Sequence, residues 1–175
     1  MGMLQRDLPD GLATNLVNHI RPVYGKKHSR GDNPMHLSIE QLLQADTGNI
    51  EGIAAWLTGY SCASVHAFLS KNQIIAFVAR LDGITIGLLY GYVLERMDGK
   101  TPQFFVYSVD IHPGYQDKGY GSLLVQYTVD WARNTGCCES FGFTDKDNPR
   151  ACRVYEKAGM THSTGDCDRM YVVSI

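Results

Sequence analysis

Between Phe104 and Trp131 the hydrophobic pattern changes period. Phe104 to Ile111 reads as a strand, whereas Tyr120, Leu123, Leu124, Tyr127, Thr128 and Trp131 recur at the i, i+3, i+4 spacing of a helix. That helix has one face to pack on a sheet. The segment leading into it is Gln116-Asp117-Lys118-Gly119-Tyr120-Gly121. A glycine-rich turn at a helix start leaves the first backbone N–H groups without acceptors, and the helix dipole puts positive partial charge behind them. Phosphate or pyrophosphate suits such a turn. Gly119 and Gly121 let the backbone approach closely, because a side chain at either would collide with the anion. Taken alone, Q-x-x-G-x-G also fits many surface turns that do no more than start a helix.

The neighbouring segments supply a sheet. Ile74 to Arg80 reads as a strand, Leu81-Asp82-Gly83-Ile84 as a tight hairpin turn, and Thr85 to Leu94 as the returning strand. Asp98-Gly99-Lys100 turns the chain again before Phe104, so three consecutive strands make an antiparallel meander. His36 to Leu43 is a further strand candidate, and Asn49 through Trp56 to Leu69 is helix-like with a break at Gly59-Tyr60-Ser61. Downstream, Gly136 ends the long helix, and Glu139 to Thr144 is the next strand. A strand reached through a crossover helix runs parallel to the strand before it. Ala151, Val154, Tyr155 and Ala158 mark a short helix stopped by Gly159, and Arg169 to Ile175 reads as a terminal strand. Residues 1–34 read as a variable extension in which Leu12, Leu16, Val17 and Ile20 form one short amphipathic helix, and the main domain is expected over 35–175. The fold class expected is α/β of the α+β type: one domain, a mixed and mostly antiparallel sheet, and flanking helices.

A chain of 175 residues can bury a full core without disulfides or metal. Its five cysteines, Cys62, Cys137, Cys138, Cys152 and Cys167, are odd in number and lack C-x-x-C spacing. Neither a disulfide framework nor a tetrahedral zinc site is expected, and free thiols suit a reducing cytoplasm. Cys152, near a helix start, is a candidate nucleophile, although a small core residue explains it more simply. A net charge of −2 gives no support to a nucleic-acid surface. No apolar run approaches the ~20 residues that cross a bilayer, and no basic segment followed by an apolar run opens the chain. A cytoplasmic protein with no membrane, nucleic-acid or metal partner is the expectation.

A second motif narrows the reading. The short helix begins Asn148-Pro149-Arg150-Ala151, with Asn148 a good N-cap and Pro149 suited to the first helical position. The run Asn148-x-x-Ala151-x-x-x-Tyr155-x-Lys157-x-Gly159-Met160, together with Gln116-x-x-Gly119-x-Gly121 and the strand before it, resembles the GNAT superfamily of acyl-CoA-dependent N-acyltransferases. The order of elements matches from about Met35 onward, and the specific part lies in residues 104–160. Within the superfamily, Gly91-Tyr92-Val93-Leu94, Asp145 and Asp147-Asn148-Pro149 are similar to the GNAT-type aminoglycoside 3-N-acetyltransferases. Those enzymes usually carry an acidic residue where this chain has Ser108. Here Asp110 stands two residues on, on the same face of the strand.

The resemblance implies acetyl-CoA as cofactor, a splayed pair of parallel central strands, and a ternary complex in which a substrate amine attacks the thioester directly. The pyrophosphate cradle is then Gln116, Asp117, Lys118, Gly119, Tyr120 and Gly121, with Ser122 continuing the row of donors; Lys118 reads equally well as a solvated loop lysine. The thioester carbonyl is expected on backbone at Val109, Asp110 and Ile111, where the family strand bulges and His112-Pro113 would end its hydrogen bonding. Tyr155 matches the family's acid, which protonates the departing thiolate; without the motif it reads as a core tyrosine beside Ala151 and Val154. Asn148 is expected on the pantetheine arm as well as at its cap, while Arg150 and Arg153 read more simply as solvated than as phosphate contacts. Candidates for the base are Asp110, then Asp145, then Glu95, and His112 is more simply a loop residue.

For the acceptor, Glu95, Ser108, Asp110, Asp145 and Asp147 are the candidate contacts. Asp98, Asp145 and Asp147 are expected on loops near the acceptor opening, where carboxylates would suit an aminoglycoside or polyamine. A solvated acidic rim explains them equally well. The leading expectation is an N-acetyltransferase acting on a small cationic amine, with the aminoglycosides as one such class. A protein N-terminal or lysine acetyltransferase and a non-catalytic CoA-binding regulator are the alternatives. Many members of the superfamily dimerise, and a homodimer is compatible with the sequence.

Overall fold

The computed structural model describes residues 36–42 and 47–162. The amphipathic helix expected from Leu12 to Ile20, the domain boundary at 34/35, Cys167 and the strand expected over Arg169 to Ile175 lie outside the described residues. Among the described residues five strands form one sheet in the order of the chain. These are β1 (Leu37–Gln41), β2 (Ile75–Leu81), β3 (Ile84–Leu94), β4 (Gln103–Ile111) and β5 (Glu139–Gly142). Helices α1 (Thr47–Ala54) and α2 (Cys62–Leu69) lie between β1 and β2. Helix α3 (Tyr120–Asn134) links β4 to β5, and α4 (Pro149–Lys157) follows. The neighbouring pairs from β1 to β4 are antiparallel, and β5 joins β4 in parallel, as a crossover through a helix requires.

Local chemistry sets the element ends. Asp82 and Gly83 both have positive φ, 49° and 83°, which a two-residue hairpin between right-twisted strands demands. Asp82 Oδ1 then accepts from His36 N at 2.8 Å, tying the turn to the entry of β1. Gly59, at φ 90°, breaks the chain between α1 and α2, and Ser61 and Ser64 cap α2 reciprocally. Gly136, at φ 88°, follows the end of α3.

Side-chain alternation along the strands separates two cores. On one face, Phe77, Ile86, Leu89, Phe104 and Val106 pack against Leu124, Val125 and Ala132 of α3. Burial of each of the larger side chains stabilises the fold by roughly 1.5–3 kcal/mol. On the other face, Val78 and Leu88 pack against Ile50, Ile53, Val65 and Leu69 of α1 and α2.

Strand β4 is irregular at one point. Its register to β3 jumps from Tyr90↔Ser108 to Gly91↔Val106, leaving Tyr107 as an extra residue. Gly91 sits opposite this bulge. A Cβ there would collide with Phe105 O and lie 2.7 Å from Phe104 Cζ, so glycine alone fits without repacking. Disruption had been expected at His112-Pro113, but His112 N still donates to Ile86 O at 2.8 Å, and the ladder to β3 is lost only at Pro113. The break lies five residues earlier than that reading placed it. It also explains why β5 stops two residues short of Thr144: β4 and β5 pair only from Gln103↔Glu139 to Val106↔Gly142.

Candidate active site

Beyond Val106 the β5-facing edge of β4 has no strand partner among the described residues. Hydrogen-bonded and non-hydrogen-bonded positions alternate along an antiparallel pair. Since His112 N bonds to Ile86 O across β3, the backbone groups of Val109 and Ile111 point to the opposite, open edge. Ile111 O accepts from Gln116 Nε2 there at 2.9 Å. Asp110 alternates with them. Its backbone faces β3 opposite Leu88, so within the expected set Val109, Asp110 and Ile111, Asp110 is not positioned as an open-edge backbone contact.

A cleft of about 560 Å³ opens at this gap. Its lining brings together Ser108, Val109, Ile111, Gln116, Asp117, Gly119, Tyr120, Gly121, Ser122, Asn148 and Tyr155 from the expected residues. The loop before α3 adopts left-handed backbone at Asp117 (φ 59°) and Gly119 (φ 88°). Gly119 is the N-cap residue of α3 and offers no side-chain cap; helical bonding begins with Leu123 N donating to Gly119 O at 3.2 Å. The preceding N–H groups are the unpaired donors of a fifteen-residue helix.

The two glycines do different work. A Cβ on Gly119 would meet nothing within 4 Å, whereas one on Gly121 would lie 3.3 Å from Val154 Cγ2 and 3.5 Å from Ile111 Cγ1. Gly121 is therefore small because α3 packs tightly against α4 and β4. This packing demand stands beside the close approach to an anion expected at the same glycine.

Charged residues hold the loop. Arg150 on α4 donates through Nη1 to Gln116 Oε1 at 2.5 Å and through Nη2 to Asp117 Oδ2 at 3.1 Å. Lys118 turns back instead: its Nζ donates to Gly114 O at 3.0 Å and lies 5.3 Å from the centre of the Tyr115 ring. It does not line the cleft. Arg150, Arg153 and Lys157, by contrast, all do. Their i, i+3, i+7 spacing puts them along one face of α4, a signal present in the sequence that solvation had seemed to explain.

Tyr155 reaches the point where the strands part. Its hydroxyl lies 3.4 Å from where a Cβ of Gly142 would stand, beside the last residue of β5. Burial pushes its phenol above the ordinary tyrosine value, so the group keeps its proton at neutral pH. Asn148 Oδ1 accepts from Ala151 N at 3.1 Å, capping α4 at the cleft wall.

Several expected residues are not brought to the cleft. Glu95 and Asp98 follow the end of β3, and Leu94 pairs with Gln103, so both carboxylates lie at the opposite end of β4 from the gap. Asp98 is bound to Arg96 at 2.8 Å and to Lys100 at 3.5 Å, and the Arg96 hydrogen bond holds its carboxyl below the usual range. Asp145 Oδ1 accepts from Asp147 N at 2.9 Å, a local loop contact, and neither residue lines the cleft. The Asp110 side chain belongs to the α1–α2 face and accepts from Ser108 Oγ at 2.6 Å. His112 Nδ1 accepts from Gly114 N at 3.1 Å, a local turn contact. Cys152 does not line the cleft. Cys62, Cys137, Cys138 and Cys152 are all unbridged. Among the described residues no His, Cys, Asp and Glu cluster could hold a metal ion, and no helix is long and apolar enough to cross a membrane. Lining residues that the motifs did not point to include Tyr107, Tyr115 and Phe143.

An uncapped helix start thus lies beside a parted pair of parallel strands, with a half-buried phenol at the parting. The model of the Acetyltransferase (GNAT) family matches residues 38–160, and the chain belongs to that family. It is accordingly an acetyl-CoA-dependent N-acetyltransferase by family. No curated protein matches the chain. Among solved structures, it is similar to an aminoglycoside acetyltransferase from an uncultured soil metagenomic sample in complex with sisomicin. That likeness has a TM-score of 0.65 at 22% identity and covers 79% of this chain and 97% of the other. It is similar to the aminoglycoside N-acetyltransferase AAC(6′)-Iy in complex with CoA, with a TM-score of 0.64 at 19% identity, covering 85% and 99%. The ribosomal-protein-alanine N-acetyltransferase of Brucella melitensis biovar Abortus 2308 follows, with a TM-score of 0.63 at 17% identity, covering 79% and 99%. At these identities the likeness establishes the fold. Where an aminoglycoside enzyme's name carries a position, it is 6′ rather than the 3-N type.

Proposed function

We propose that the protein transfers the acetyl group of acetyl-CoA to the primary amine of a small cationic acceptor, by direct attack within a ternary complex. The observation that carries this reading is the meeting of three features at one gap: the uncapped start of α3, the open edge of β4 and the Tyr155 hydroxyl. The N–H groups ahead of Leu123, with Arg150, Arg153 and Lys157 along the wall, hold the phosphates of the cofactor. Cofactor chemistry supplies an activated thioester. Open-edge backbone N–H at Val109 or Ile111 receives its carbonyl oxygen as negative charge develops there. The acceptor nitrogen forms the new N–C bond as the C–S bond breaks. The leaving sulfur takes the Tyr155 proton, and the amine's surplus proton passes to solvent or to Asp110 on the acceptor side, restoring Tyr155 through water.

The aminoglycosides are the narrower form of this reading, and the named neighbours are what favour them. A thiol-release assay with acetyl-CoA against aminoglycosides, polyamines and short peptides tests it. Turnover on a small amine that collapses in Tyr155→Phe is the expected result. CoA binding without thiol release on any amine would replace this reading with that of a CoA-binding regulator.

A further inference from the structure

The α1–α2 cover of the sheet stops at Tyr90, whose ring meets Phe68 of α2 edge-on at 4.9 Å. Past Tyr90 the same face carries an unbroken run of rings across β3, β4 and β5. Tyr107 stacks on Tyr90 at 5.4 Å, and Phe105 meets Tyr107 edge-on at 5.8 Å. Phe105 also stacks on Phe141 at 5.2 Å, with Phe143 5.7 Å away. No helix among the described residues covers this run. Tyr107 is 57% exposed and Phe143 69%, and both also line the cofactor cleft, so the aromatic surface is continuous with the gap where Tyr155 stands.

Among the described residues one carboxylate accompanies it. Asp110 shares this face with its strand partner Leu88 and the neighbouring Tyr90, is steadied by Ser108 Oγ, and pairs with no Lys or Arg among the described residues. Glu95 and Asp98 are at the far end of the sheet, and Asp145 is engaged in its own loop. A polycation such as an aminoglycoside needs several carboxylates in reach. Among the described residues this surface offers one negative charge and about five rings, which suits a single ammonium attached to a flat apolar body.

We propose that the acceptor is a monoamine with an aromatic body, an arylalkylamine, laid on the Tyr107–Phe105–Phe143 surface with its nitrogen towards Asp110. The inference rests on the N-acetyltransferase reading above and specifies its substrate class. An ammonium so bound gives one proton to Asp110 or solvent before attack; the neutral amine then loses a second as the C–S bond breaks and the thiol gains one, for a net release of one proton.

The test uses the full chain and acetyl-CoA, with 2-phenylethylamine and tryptamine compared with spermidine and kanamycin. Thiol release is followed, and the acetylated product is verified by mass. The expected kcat/KM for the aryl amines is at least ~10-fold above that for the polycations. In Phe105→Leu, which alters a ring of this surface that does not line the cofactor cleft, KM for the aryl amines should rise ~10-fold while CoA affinity, measured by calorimetry, is retained and reports an intact fold. Faster turnover of spermidine or kanamycin overturns the arylalkylamine inference and leaves the acetyltransferase reading standing. An unchanged aryl-amine KM in a Phe105→Leu protein that still binds CoA overturns it as well. Thiol release on none of the four amines, with CoA bound, removes both readings together.

Discussion

The two edges of β4 are built from the same nine residues and do opposite things. Its β3 edge is paired throughout, from Gln103 to Ile111, and takes up the extra residue Tyr107 as a bulge seated on Gly91. Its β5 edge is paired only as far as Val106, after which Val109 and Ile111 present backbone to a cleft. A sheet edge left open normally invites another strand. Here a glycine-capped helix, a clamped loop and a phenol surround it instead. The comparison teaches that this site is made by stopping a ladder. Stability should therefore reside on the closed edge and chemistry on the open one.

The sharpest way to break that division is Tyr155→Phe. Removing one hydroxyl from the open edge should lower turnover by ~10²–10⁴-fold, less if water substitutes as the acid, with CoA affinity and melting temperature nearly unchanged. Steady-state kinetics and a calorimetric CoA titration check it. A fall in stability without a fall in turnover would return Tyr155 to the core.

Next comes Gly119→Glu, expected to weaken CoA binding on the order of 100-fold by placing bulk and negative charge among the helix N–H groups. Since φ at Gly119 is 88°, any side chain there also carries backbone strain. Gly119→Asn separates the two effects, because asparagine tolerates left-handed backbone and brings no charge. Calorimetry should place Asn close to the native protein and Glu far from it. Equal losses for both would assign Gly119 to conformation alone.

On the closed edge, Gly91→Ala should cost about 1–3 kcal/mol of stability, because a methyl group must displace Phe105 O or the Phe104 ring. Chemical denaturation measures it. CoA affinity of the remaining folded protein should hold. Lost affinity with unchanged stability would reverse the roles assigned to the two edges.

The sequence shows why some of this was legible and some was not. Periodicity and turn chemistry act over a few residues, so the meander, the Asp82-Gly83 turn, the glycine before α3 and the parallel β5 could all be placed in advance. The bulge could not, because it depends on the fit between Gly91 and Phe105, fourteen positions apart. The same limit applied to the carboxylates. Glu95 and Asp98 look no different in sequence from Asp110, and only the direction of β3 carries them to the wrong end of the sheet. Gly119 and Gly121 stand two residues apart in one motif, yet Val154 of a later helix decides that one opens space and the other closes it. The aromatic face escaped notice because its rings alternate with core residues on three separated strands.

The smallest effect expected lies at high pH and again contrasts two positions. Burial, then Tyr107, Tyr92, Asp110 and Tyr60, push the Tyr90 phenol up to about 12. In the unfolded chain a tyrosine ionises near ~10. Between these values the unfolded state has given up the proton and the folded state still holds it, so ionisation favours unfolding and stability falls as pH rises through that window. Below it, Tyr90 makes no such contribution. Urea midpoints at pH 9 and pH 11 should therefore draw closer together in Tyr90→Phe than in the native protein. Asp110→Asn, which removes one of the negative charges acting on Tyr90, should narrow the gap less, because burial is the first cause of the shift. If the gap were the same in all three proteins, the phenol would be ionising alike in both states, and Tyr90 would not be held between Phe68 and Tyr107 as the structure has it.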